Sequence, residues 1–389
     1  MKNKESHCVC ISDEEHADKK YPQSMELKVV MQKDITTWLH KSLPLCMILA
    51  YEKHLPWYYS KFIQIFSYTN EKGRVELDYL EPRNCFSEIV EWISLGYRLI
   101  NHVENIIDYI IENVNLGYRL IIHVDEFYLP DKWTYNKVHF VHPALIYGYD
   151  NKEKILKAIG FSKGIFREIS FNYTQFSDAF EYGKIYYKEY APWCEYIALE
   201  LIRPKKSEIE YPFDNDRFLK ELNNYLFSIG DMVKLFSFEY DESRVEYGFK
   251  VHDVIISGLE SLLQGKNTID YRACHLIAEH KKCIYDRIGY FIARNNLSGE
   301  IITLHTEYLE IVKRFNIFRI KIYKNLKDFG NANIYNPDIT DLTLEQKSKV
   351  KDSINMLKEL KDAEYDILIK ILEQLEKQIK LGGGLNEKM

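Results

Sequence analysis

Tyr118-Arg119-Leu120-Ile121-Ile122-His123-Val124-Asp125 is the stretch on which the fold turns. It is short, apolar, rich in β-branched residues and preceded by Gly117, which is the pattern of a buried strand. After the turn formers Pro130, Asp131 and Asn136, the run Val138-His139-Phe140-Val141-His142 leads into Ala144-Leu145-Ile146-Tyr147-Gly148-Tyr149-Asp150 and ends in a turn. Residues 154–159 read as a third strand and 164–169 as a fourth. Successive strands with short connections form an antiparallel sheet, because parallel neighbours need long crossovers.

Working outward, Leu95-Gly96-Tyr97-Arg98-Leu99-Ile100 is repeated as Leu116-Gly117-Tyr118-Arg119-Leu120-Ile121. Two copies do not make a solenoid, and the second copy is taken as the strand. Further upstream, Leu43-Pro44 precedes the apolar run Leu45-Cys46-Met47-Ile48-Leu49-Ala50. Proline suits a first helical turn, so a helix is expected to start here with Ser42 as its cap and Cys46 in its first turn. A second helix is expected after Pro56, and residues 88–93 and 103–114 read as helix-like. Downstream, a strand-like run over 193–202 leads to Arg203-Pro204-Lys205-Lys206-Ser207, a polar candidate boundary. Beyond it, helical patterns fill 214–228, 251–263, 271–295, 300–326 and 344–380. Leu381-Gly382-Gly383-Gly384 is expected to end the last helix.

Of the 389 residues, 46% are hydrophobic and 28% charged, which argues against disorder, a collagen-like repeat and a membrane-embedded body. The 30 Tyr and 20 Phe are high; tyrosine suits a wet, half-apolar cleft, although most of this excess reads as composition bias. Net charge is −6, and no basic block interleaved with aromatics is read as a nucleic-acid groove, so nucleic acid is not an expected partner. The polar start of the chain has no signal-peptide pattern, and the apolar runs are too short to cross a bilayer. The chain is therefore expected to be cytoplasmic, with no membrane partner. The seven cysteines, Cys8, Cys10, Cys46, Cys85, Cys194, Cys274 and Cys283, are odd in number and lack paired zinc-type spacing, so reduced thiols are expected. Cys8 and Cys10 beside His7 make only a loose metal set, and no resident metal or cofactor is expected.

Four residues stand out for chemistry. A thiol in the first turn of a helix meets the positive end of the helix dipole, which favours the thiolate and suits Cys46 to nucleophilic attack. Such a nucleophile needs a base and a group that orients it. His139 and His142 lie at the entry of a strand, and a hairpin would bring Asp125 close to both. Each of these residues also has an ordinary structural reading, as core thiol or as sheet-edge histidine.

Taken together, the block Asp125-Glu126-Phe127-Tyr128-Leu129-Pro130, then His139, His142 and Gly148-Tyr149-Asp150, resembles the strand–histidine–strand core of the papain-like proteins grouped with the N-terminal domain of butirosin biosynthesis protein H. These are relatives of the double-glycine leader peptidases. The likeness covers roughly residues 35–200. It implies that the stretch with an antiparallel sheet packed on helices (31–205) is a papain-like domain; the sequence pattern itself adds an N-terminal tail and first element (1–30) and an all-α domain (206–389), for an α+β chain. It further implies a cysteine-dependent acyltransferase of specialised-metabolite biosynthesis. Cys46 would take an acyl group from a carrier-protein thioester and pass it to a small amine, with His142 as base and Asp125 orienting the imidazole. Two positions depart from the family pattern. Ala158, Ile159 and Gly160 stand where the triad acid follows the histidine, and His40, Lys41 and Ser42 stand where the oxyanion glutamine precedes the cysteine, with Gln32 farther away. Aromatic segments Trp57-Tyr58-Tyr59 and Phe127-Tyr128 are candidates for the acyl pocket. A non-catalytic papain-like scaffold that binds a carrier protein or peptide, or a cysteine peptidase, are the alternatives, and Cys8 or Cys10 are the next candidate nucleophiles.

Overall fold

A computed structural model describes residues 21–70, 73–101, 103–206, 211–230, 241–266, 270–327 and 342–386. His7, Cys8 and Cys10 lie outside the described residues. The chain begins with strand β1 (Ser24–Glu26), helix α1 (Leu39–Ile48) and the short helix α2 (Leu55–Tyr59). A hairpin of β2 (Ile65–Thr69) and β3 (Val75–Tyr79) follows, then β4 (Val90–Leu95), the single turn α3 (Tyr97–Ile100) and helix α4 (Ile106–Asn115). The deciding stretch is strand β5 (Arg119–Asp125), buried at every position. It is followed by β6 (Val141–Asp150), β7 (Ile155–Ser162) and β8 (Ile165–Asn172), then by helix α5 (Tyr173–Tyr190) and strand β9 (Leu199–Pro204).

The main sheet runs β4-β9-β5-β6-β7-β8, and β1 continues the edge of β6 where β5 has ended. All of these pairings are antiparallel. Strand alternation divides its side chains between two layers. Leu120, Ile122, Val124, Ala144, Ile146, Leu156 and Ala158 bury one face beneath α4 and α5. Ile121, Leu145, Ile159 and Ile202 bury the other against α1.

The repeated pentapeptide Gly-Tyr-Arg-Leu-Ile folds in two ways. Its first copy caps and forms α3, while its second leads into β5. Gly117 supplies a φ of +85°, which only glycine adopts freely. Gly96 instead permits a close approach: a Cβ there would sit 1.8 Å from the Glu195 carbonyl oxygen. Residues 88–93, expected to be helical, close a 3-10 turn and enter β4. Short apolar runs satisfy both periods, and pairing with β9 decides in favour of the strand.

The second half consists of helices α6 (Asn215–Leu226), α7 (Val251–Leu263), α8 (Tyr271–Arg294), α9 (Glu300–Lys327) and α10 (Leu344–Asn386). Helix α10 continues through Gly382, Gly383 and Gly384 rather than stopping before them. The expected all-α half also carries one strand, β10 (Val245–Tyr247), which pairs antiparallel with β2. Its helices belong to the same buried cluster as α1, β2 and β3.

Polar ties cross this junction. Glu279 of α8 accepts the amides of Thr36 and Thr37 at 2.8 and 3.2 Å and both of their hydroxyls. The buried Arg287 donates to the carbonyls of Tyr58, in the last turn of α2, and of Lys61, just after it. Deeper in the bundle, Lys281 of α8 and Glu364 of α10 form an ion pair at 3.0 Å with neither side chain exposed. Among the described residues, no helix is long and apolar enough to cross a membrane.

Candidate functional site

The expected nucleophile sits at the other end of its helix from where the sequence places it. Helix α1 begins at Leu39 with Trp38 as its N-cap, so Pro44 is inside the helix and Cys46 falls in the last turn. The dipole there is negative and disfavours a thiolate. The Cys46 thiol is fully buried and donates to the Ser42 carbonyl at 3.3 Å. Burial is the main cause that pushes its pKa up to about 12, with Glu168 adding to it and the Gln32 amide opposing it.

Gln32 is remote in sequence yet adjoins this helix. Its side-chain amide donates to the carbonyls of Ile35 and Ser42 at 2.6 and 3.2 Å, and its oxygen accepts the amides of Asp34 and Ile35. Both ends of the carboxamide are engaged with backbone, which leaves it no free donor for an oxyanion.

His142 lies on the opposite side of the sheet from Cys46. It pairs in register with Val124 and alternates with Ala144 and Ile146, the layer beneath α4 and α5. Cys46 belongs to the buried cluster that holds Leu145, Tyr147 and Ile159 on the far layer. The β-sheet therefore separates the thiol from the expected base, and no hydrogen bond joins Cys46 to His142 or Asp125 among the described residues.

Asp125 does meet a histidine, but it is His139. Asp125, with no exposed surface, accepts from His139 Nδ1 at 2.6 Å, and its other oxygen accepts the amides of Phe127 and Phe140 at 3.1 and 3.0 Å. His142 has its own acid: Nδ1 donates to Glu126 Oε1 at 3.0 Å. The buried Lys132 donates to the same oxygen at 2.8 Å and to the Phe161 carbonyl at 2.6 Å. Burial raises the Glu126 carboxyl, but His142 and Lys132 outweigh it and leave its pKa lowered. Two neighbouring acids at the end of β5 thus hold two imidazoles at the entry of β6. Both histidine side chains keep about a quarter of their surface in solvent, 25% and 22%.

Aromatic rings fix the first of these imidazoles. His139 lies between Tyr186, 3.7 Å away at 15°, and Phe127, 4.5 Å away at 24°. Next to it, Tyr128 stacks on Tyr182 at 4.4 Å. Tyr182, Tyr186 and Tyr190 follow one another at helical spacing along α5. The helix approaches β5 closely at Gly183, where a Cβ would lie 2.5 Å from the Tyr97 hydroxyl and 3.4 Å from the Asp125 nitrogen. Of the two aromatic segments expected in a pocket, Phe127-Tyr128 borders this site. Trp57 and Tyr58 are core residues, exposed by only 2% and 1%. A cleft of about 600 Å³ bordered by Lys132, Tyr147, Lys157, Arg167 and Glu168 lies beside the second pair.

With Nδ1–H given to Asp125, His139 presents the lone pair of Nε2, which has no protein hydrogen-bond partner among the described residues. An imidazole oriented in this way has the geometry that a general base requires. The sequence reading passed over Glu126, Lys132 and Tyr186. The signals for them were the adjacent acids Asp125-Glu126 ahead of two histidines three apart, and the four-residue spacing of tyrosines on α5. Among the described residues, no cluster of three or more His, Cys, Asp or Glu side chains is placed to hold a metal ion. No protein-family model matches this sequence, and no curated protein matches it.

Proposed function

We propose that the chain transfers an acyl group from a thioester to an amine by direct general-base catalysis, with no acyl-cysteine intermediate. The observation that carries this reading is the Asp125–His139 pair, a buried carboxylate holding an imidazole that keeps a quarter of its side-chain surface in solvent. His139 Nε2 takes a proton from the amine as its nitrogen bonds to the acyl carbon. The carbon–sulfur bond then breaks, and the departing thiolate takes a proton back. Aminolysis of a thioester needs less activation than cleavage of a peptide, so a base without a protein nucleophile suffices. Phe127, Tyr128 and Tyr182 border the acyl group. The donor in this proposal is a carrier-protein thioester, the acceptor is a small amine, and the setting is the cytoplasm. The scaffold is papain-like, with its helix-borne cysteine withdrawn into the core.

The second reading, a non-catalytic scaffold of the same kind that binds a carrier protein or peptide, is favoured by the sealed Cys46. An acyl-thioester and amine assay separates the two. Amide formation that persists in Cys46→Ala and is lost in His139→Gln supports the general-base reading. Formation that stops in Cys46→Ala, with an acyl adduct on the parent chain seen by intact mass, overturns it. No turnover with any donor leaves the scaffold reading.

A further inference from the structure

The second half of α9 reverses the sign of the chain. Over residues 311–327 it carries Lys313, Arg314, Arg319, Lys321, Lys324 and Lys327 and no acidic residue, in a protein of net charge −6. Phe315, Phe318 and Ile322 face the core, so the aromatic and branched residues between these cations are partly structural. On the outward side, however, Ile317, Ile320 and Tyr323 are 47%, 42% and 52% exposed. Helical spacing puts Ile317, Ile320, Lys321 and Lys324 on one strip. Lys313 pairs with Glu310 at 2.6 Å and Arg314 with Glu359 at 3.2 Å. Arg319 donates to the Asn316 side chain, and among the described residues no carboxylate pairs with Arg319, Lys321 or Lys324. Leu344, the first residue of α10, is 87% exposed.

We infer that this face of α9 docks on a membrane surface of anionic lipid headgroups. Charge complementarity requires an anionic occupant, and the mixture of side chains selects lipid over protein. Protein interfaces gather apolar groups at a centre, exclude lysine from it and place charge on a rim. Here lysines and isoleucines interleave on the same strip. At a headgroup boundary that mixture is favourable: the long lysine stems lift their ammonium groups to the phosphates while isoleucine enters the acyl edge and tyrosine sits at the interface. The expectation of no membrane partner came from the lack of a spanning run, a criterion that does not detect surface association. This inference is independent of the proposed chemistry at His139.

The test is sedimentation of the full chain with phosphatidylcholine vesicles, with and without 30% phosphatidylserine. Binding should need phosphatidylserine and fall as salt is raised. The exposed double variants Lys321→Glu/Lys324→Glu and Ile317→Ser/Ile320→Ser should keep the parent's circular dichroism. The charge reversal should lower the partition coefficient by about tenfold or more, since each cation near such a surface contributes roughly fivefold. A distant reversal, Lys152→Glu/Lys206→Glu, should leave it within about twofold of the parent. No binding to anionic vesicles, an equal loss in the distant variant, or unchanged binding in both patch variants overturns the proposal. Failure on vesicles with patch-dependent retention on immobilised polyglutamate also overturns it, in favour of an acidic protein partner.

Discussion

Asp125 Oδ2 and His139 Nδ1 are 2.6 Å apart, with the carboxylate sealed from water and the imidazole at the surface. The other Asp125 oxygen is occupied by two backbone amides, so the carboxylate has one orientation and the ring has one tautomer. Asp125→Asn keeps the shape but weakens that control. The proposed amide synthesis should fall by about 10²-fold or more in kcat, with KM little changed. Asp125→Ala strands the Phe127 and Phe140 amides and should cost roughly 2–4 kcal/mol of stability by urea denaturation. A His142→Gln variant should lose less activity than His139→Gln, and the reverse order would move the base to the Glu126 pair.

Cys46 should be unreactive in the native chain. With its thiol pKa pushed up to about 12, the thiolate fraction at neutral pH is on the order of 10⁻⁵. The thiol also has no exposed surface. Iodoacetamide at pH 7 should label it only after denaturant is added. Rapid native labelling located to Cys46 by peptide mapping would restore it as a nucleophile.

The four strands were legible in the sequence because β-branched runs bounded by glycine, proline and asparagine have few other readings. Residues 154–159 and 164–169 became β7 and β8 with shifts only at the ends. The long helices were equally plain: residues 251–263 became α7 with the same limits, because an apolar face sustained over several turns has one period. Helix α1 was misread through Pro44. Proline favours a first turn, but tertiary packing holds this one in the middle, and that moved Cys46 from the positive to the negative end of the helix. Asp125, His139 and His142 do lie at one hairpin end, with Asp125 bonded to His139 and His142 bonded to Glu126. Their pairing was not legible, because which carboxylate meets which ring depends on the turn at Glu126 and on α5, far along the chain.

Gly183 should be the position through which α5 controls the site. A Cβ there meets the Tyr97 hydroxyl at 2.5 Å, and that hydroxyl donates to the His123 carbonyl in β5. Gly183→Ala should cost roughly 1–3 kcal/mol, because the close-packed interior must move the helix or the ring. Moving the helix also moves Tyr186 off His139, so the proposed amide synthesis should fall further than stability alone explains. If thermal stability falls but kcat at a permissive temperature does not, the Tyr186 stack does not position the base.

The buried charge cluster of the helical half sets the last prediction. Glu364 of α10 faces Lys281 at 3.0 Å, His252 at 3.1 Å and the Tyr308 hydroxyl at 3.0 Å, and Tyr225 and His280 complete the surroundings of Lys281. Burial raises the Glu364 carboxyl, but Lys281 and His252 together leave it lowered to about 2, while burial draws Lys281 down to about 8. Both are therefore charged at neutral pH. Removing one partner leaves an uncompensated buried charge, so Glu364→Gln should cost roughly 3–5 kcal/mol at pH 7. The carboxyl titrates near 4.3 when unfolded and lower when folded, so its contribution is complete above about pH 4.3 and is lost as pH falls toward 2. The stability gap between parent and Glu364→Gln, measured by urea denaturation, should therefore narrow steadily from pH 5 to pH 2.5. The double change Lys281→Met/Glu364→Leu removes both charges and should cost far less than the single one. A gap that stays constant with pH would mean that the Glu364 carboxyl titrates alike in the folded and unfolded chain, so that the pair does not stabilise its charge.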